Sequence, residues 1–151
     1  MFAPHSNHQP LKNKPMKFKA CLSDPFLQGI IELGEKDAHQ LIETFEGIEW
    51  ASFLEQMGNQ GPDNLEYAPT LEFTNLDNYH ELTVSMMMEV DKAEFSVIYI
   101  RPKVVKKFLG LIKSIDDNYL TCAIALSKKE VVDCIKAFSK NDDEYLELKI
   151  Q

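Results

Sequence analysis

The chain has 151 residues, 44% of them apolar and 10% aromatic, which is enough for one packed domain and excludes a wholly disordered protein. No apolar run approaches the ~20 residues of a membrane-spanning helix and no secretory h-region opens the chain, so the cytoplasm and a partnership without membrane are expected. The net charge of -8 is unevenly placed. Residues 17–100 carry sixteen acids against four bases, whereas residues 101–151 carry eight acids against ten bases. Such an acidic front repels a phosphate backbone, so nucleic acid is not an expected partner and a basic protein is.

Residues 1–15 hold three prolines and no periodic pattern, the composition of a mobile leader. The single domain is expected to begin at Met16, where translation can also start. His5 and His8 lie in that leader and are expected to be inert. Lys17–Leu22 alternates weakly, as an edge strand does. Asp24 and Pro25 read as N-cap and first residue of a short helix, Phe26–Leu33, stopped by Gly34. Ala38, Leu41, Ile42 and Phe45 predict a second helix ending at Gly47, and Trp50, Phe53, Leu54 and Met57 a third over Glu49–Met57. Residues 58–64 are dense in turn formers but lack the glycine spacing and lysine of a phosphate-binding loop.

Thr70 to Pro102 is the stretch around which the fold is expected to be organised. Period-two alternation runs there through three candidate strands: Thr70–Thr74, His80–Met88 and Glu94–Arg101. Ile98 and Ile100 make the second face of the last strand apolar, which predicts a central strand covered on both sides and ended by Pro102. Val104, Val105, Phe108, Leu109, Ile112 and Ile115 fit a helical stripe with Gly110 in its middle. Tyr119–Leu126 reads as a strand, Ser127 to Glu130 as a capping box that opens a helix, and Tyr145–Ile150 as a last strand. The expected fold is therefore a single α+β domain. Its sheet is mainly antiparallel with five or six strands, preceded by N-terminal helices, and two further helices interleave with the C-terminal strands.

No motif of a known chemistry is complete. Glu35, His39, Glu43 and Glu46 fall at i, i+4, i+8 and i+11 of the second helix; imidazole and carboxylates so placed can ligate zinc or manganese, but the same spacing describes any solvated helix face. No metal or cofactor is therefore assigned. His80 stands beside Asp77, Tyr79 and Glu81, where a carboxylate can orient an imidazole for proton transfer, but no nucleophile is near in sequence. Cys21, Cys122 and Cys134 are an odd, widely spaced set and read as reduced thiols, with Cys122 and Cys134 on elements patterned for packing. Arg101, Lys103, Lys106 and Lys107 put cations at an expected helix start, where the macrodipole disfavours them; compensation by the acidic front, with Glu72, Asp77 or Glu81 pairing Arg101, is the expected reason.

The leading functional expectation is a non-enzymatic acidic domain that binds a basic partner protein through Glu35, His39, Glu43, Glu46, Asp77, Tyr79, His80 and Glu81. In size and charge, though in no motif, the chain resembles small acidic inhibitors of basic toxic enzymes, such as the immunity proteins of bacterial competition systems. A small-ligand or anion-binding regulatory module, and an enzyme using His80 with nearby carboxylates, are the alternatives.

Overall fold

The computed structural model describes residues 14–27, 29–61, 64–89 and 92–151. The expected leader, with His5 and His8, lies outside the described residues except for Lys14 and Pro15. The protein is an α+β domain built on one six-stranded antiparallel sheet, whose strands β1 (Lys17–Asp24), β2 (Gly29–Asp37), β3 (Thr70–Asn75), β4 (Glu81–Glu89), β5 (Lys92–Lys107) and β6 (Ile112–Leu126) lie in the order β2-β1-β3-β4-β5-β6. Among the described residues no helix is long and apolar enough to cross a membrane.

β1 (Lys17–Asp24) alternates as its sequence does, and Phe18, Ala20 and Leu22 are buried. It is an inner strand, between β2 and β3, and not an edge. The expected helix over Phe26–Leu33 is replaced by a turn and β2 (Gly29–Asp37). Asp24 does accept from backbone amides, Phe26 at 2.8 Å and Leu27 at 3.2 Å, but these close a turn that sends the chain back along β1. Gly34, with φ of 80°, lies beside the irregularity in β1–β2 pairing and supplies a left-handed conformation that a side chain resists.

Helices α1 (Gln40–Glu46) and α2 (Trp50–Gln60) follow, burying Leu41 and Phe45, and Trp50, Phe53 and Met57. β3 (Thr70–Asn75), β4 (Glu81–Glu89) and β5 (Lys92–Lys107) form the meander that the alternation predicts. Their Leu71, Phe73, Leu82, Val84, Met86, Phe95, Val97 and Tyr99 point to one side and are buried. Trp50 closes that core, its ring 5.2 Å from Phe95 and 5.5 Å from Phe45, and its indole N–H donates to the Phe45 carbonyl at 2.9 Å.

The far side of the sheet departs from the expected pattern in two places. Pro102 does not end β5, because the register shift between Arg101 and Lys103 takes it out of the ladder and pairing resumes to Lys107. Residues 104–115, expected as a helix, form a hairpin between β5 and β6 (Ile112–Leu126). β-Branched Val104, Val105, Ile112 and Ile115 favour the pleated form, and Gly110, with φ of 88°, sits in the turn.

The capping box is formed in α3 (Lys128–Ser139), with Ser127 Oγ accepting from the Glu130 amide and the Glu130 carboxylate accepting from the Ser127 amide. The expected strand over Tyr145–Ile150 is instead α4 (Asp143–Lys149), whose N-cap Asp142 accepts from the Tyr145 amide at 3.1 Å. Leu146 and Ile150, four apart, are buried and Leu148 is exposed, which is helical spacing. The last two helices therefore follow the sheet in sequence. The helical layer lies on one face of the sheet, and the expected cover on both faces of β5 is absent among the described residues.

Candidate functional site

Directly opposed residues of an antiparallel pair share a face, so the register identifies what the open face carries. Lys19 stands opposite Glu35 and Thr74, and Cys21 opposite Glu32 and Glu72. Thr83 pairs Glu72 with Ile98, Glu81 pairs Thr74 with Ile100, and Met87 faces Glu94. Five glutamates, Glu32, Glu35, Glu72, Glu81 and Glu94, thus share this face with Lys19. Lys19 pairs with Glu32 at 3.1 Å, and among the described residues no cation lies within ion-pair distance of the other four.

Beside the carboxylates runs an apolar stripe on the same face. Ile98 leads to Ile100, which opposes Leu120, and beyond the Pro102 irregularity Val104 opposes Ile115. Leu120, Val104 and Ile115 are exposed. Apolar area rimmed by charge is the composition of an association surface more than of a solvated sheet.

The eight residues expected to engage a partner do not form one patch. Glu35 is on β2, so it cannot share a helix face with His39, Glu43 and Glu46, which belong to α1 and its N-cap in the helical layer. Among the described residues no three His, Cys, Asp or Glu side chains are placed to hold a metal ion. Asp77 and Tyr79 occupy the β3–β4 turn, where the Asn75 side chain accepts from the Asp77 amide at 2.9 Å and exposed Tyr79 takes a φ of 59°. Glu35 and Glu81 are the two that lie on the open face. Glu72 and Glu94 were legible as their neighbours from strand parity, whereas Glu32 was hidden by the helical reading of β2.

His80 belongs to a part-buried polar network beside the helical layer, in which the Asp143 carboxylate is half exposed. Its Nδ1 lies 3.0 Å from the Tyr99 hydroxyl, which donates to Asp143 at 2.5 Å. Burial first, then that bond to Asp143, pushes the Tyr99 phenol up, so it stays a neutral donor. With its proton committed to Asp143, the phenol oxygen accepts from His80 Nδ1–H. The next inward side chain on β5 is Arg101, which donates to the Tyr99 carbonyl at 3.2 Å, Thr121 Oγ1 at 2.8 Å and Glu147 at 3.0 Å. Glu72, Asp77 and Glu81, expected to pair Arg101, do not: Glu72 and Glu81 lie on the opposite face and Asp77 in a turn. The cations of residues 101–107, expected at a helix start, lie on a strand instead.

These groups tie α4 to the sheet. Cys21 contacts Glu32 at 3.6 Å on the open face, and burial pushes the Cys134 thiol up to about 11. A groove of about 410 Å³ lies elsewhere, between Phe45 and Glu46 on one side and Lys128, Lys129, Val132 and Lys136 on the other. No protein-family model, curated protein or solved structure matches this chain.

Proposed function

We propose that the protein is a non-enzymatic binding domain whose open sheet face engages a basic partner protein. One observation carries this reading: four carboxylates that, among the described residues, have no cation within ion-pair distance, Glu35, Glu72, Glu81 and Glu94, adjoin an exposed apolar stripe on the face that the helices leave bare. The stripe supplies area that gains by leaving water, and the carboxylates steer and orient a cationic surface toward it. A basic enzyme that acts on polyanions fits this chemistry, since the glutamates would fill its cationic cleft; an inhibitor or immunity-type role follows from that fit.

The test is affinity capture with the wild-type chain and a Glu72→Lys/Glu81→Lys variant as parallel baits. A basic protein retained by the first and lost by the second is expected. Its association rate should fall steeply toward ~0.5 M salt, where the Debye length is a few Å. Retention unaffected by the charge reversal, or a rate indifferent to salt, would overturn the reading.

A further inference from the structure

From Arg101 onward β5 has no β4 partner and pairs with β6 alone, so residues 103–115 form a two-stranded arm reaching roughly 17 Å past the Pro102 irregularity at about 3.3 Å per residue. Its tip is apolar and fully presented: Phe108 is 74% exposed, Leu109 107%, Leu111 87% and Ile112 50%. Phe108 and Leu109 have φ of 52° and 56°, left-handed positions that turns ordinarily assign to Gly, Asn or Asp. Large apolar side chains thus stand at the outermost point against the backbone's preference.

A collar of cations surrounds this crown. Lys106, Lys107 and Lys113 flank it and have no ion-pair partner among the described residues, while Lys103, further down, is held by Glu147 at 3.2 Å. No carboxylate occurs between Arg101 and Ile115. The arm therefore carries cations and no acid on a chain of net charge -8.

We propose that the arm is a docking device for an anionic lipid surface, with Phe108, Leu109, Leu111 and Ile112 entering the interfacial layer and Lys106, Lys107 and Lys113 meeting the headgroups. Charge complementarity selects this occupant. An anionic leaflet attracts the collar and repels the glutamates of the open face, so the molecule approaches tip first. A convex apolar tip needs no complementary cavity in lipid, where side chains bury ~5–10 Å into the headgroup and acyl boundary. Among the described residues no helix is long and apolar enough to cross a membrane, and docking on a surface needs none.

The experiment is flotation of the full chain with vesicles of phosphatidylcholine alone and of phosphatidylcholine with about one-third phosphatidylglycerol. Each lysine near an anionic surface is worth about a fivefold gain in partition, so the three should favour the anionic vesicles by ~100-fold at low salt. Lys106→Glu/Lys107→Glu and Leu109→Asp should each lower that partition at least ~10-fold. Melting temperature, measured in parallel, should stay unchanged because none of these side chains enters the core. Absence of binding to the anionic vesicles, or binding that Leu109→Asp leaves intact, overturns the proposal. So does self-association of the wild type that Leu109→Asp abolishes without any vesicle binding, which would assign the tip to a second copy.

Discussion

The guanidinium of Arg101, only 3% exposed, donates to the carboxylate of Glu147, which is 40% exposed, at 3.0 Å. A cation buried on β5 thus has its counter-ion on the rim, contributed by α4. The ring of Tyr99, 4.5 Å from the guanidinium carbon, and that of Tyr119, 5.0 Å away, sandwich the charge. Arg101 Nε has no hydrogen-bond partner among the described residues.

That asymmetry makes the two partners unequal under substitution. Glu147→Ala strands a buried cation and should lower stability by about 3 kcal/mol, whereas Arg101→Met removes the charge and leaves an accessible carboxylate, at a cost within about 1 kcal/mol. Urea unfolding of both variants measures the difference. Equal losses would show that the guanidinium is hydrated.

Acid sensitivity should arise partly at Glu130. Hydrogen bonds from Lys149 first, and then from the Ser127 amide and hydroxyl, hold its carboxyl down at about 2. A depressed native value means that its stabilising contribution is complete above the ordinary carboxylate value of about 4.5 and is lost as pH falls toward 2. Glu130→Gln should therefore flatten the decline of melting temperature across that window and leave the profile's shape above pH ~5 unaltered.

Thiol reactivity should separate the cysteines. Cys134 is fully buried with its thiol pushed up to about 11, so it should react with a disulfide reagent only on unfolding. Cys21 is partly accessible, and its thiol too is pushed up, by burial first and by Glu32 next. Thiol counting should find Cys134 silent in the native state and Cys21 slow at pH ~8.

Trp50 packs edge-on to Phe95 and donates to the Phe45 carbonyl. Its truncation to Ala should cost ~3–5 kcal/mol through a cavity under the sheet, and near-complete unfolding by circular dichroism is the expected outcome for a domain of ordinary stability.

The meander from Thr70 to Arg101 was readable because alternation over long strands has one solution. Short segments have two. Leu146, Leu148 and Ile150 satisfy a strand's period, and Leu146 with Ile150 satisfies a helix; the Asp142 cap decides for α4. Residues 104–115 fit a helical stripe as well as a ribbon, and ribbon pairing wins only once β6 is in place. Of the open face, Glu72 and Glu81 were implied by parity. The Tyr99–Asp143 and Arg101–Glu147 contacts join segments remote in sequence and depend on a helix read as a strand, so they had no local signal.

The sheet order contains one seam between strands that are not consecutive in the chain: β1 with β3, joining Phe18 to Asn75 and Ser23 to Thr70 across α1 and α2. Every other pairing can zip outward from its own turn, so the conformational search narrows to closing that single large loop. Folding speed should accordingly be governed at Ala20 and Phe73, which oppose each other there. Stopped-flow refolding should show an Ala20→Gly change slowing the forward reaction, while alterations in the arm leave it untouched.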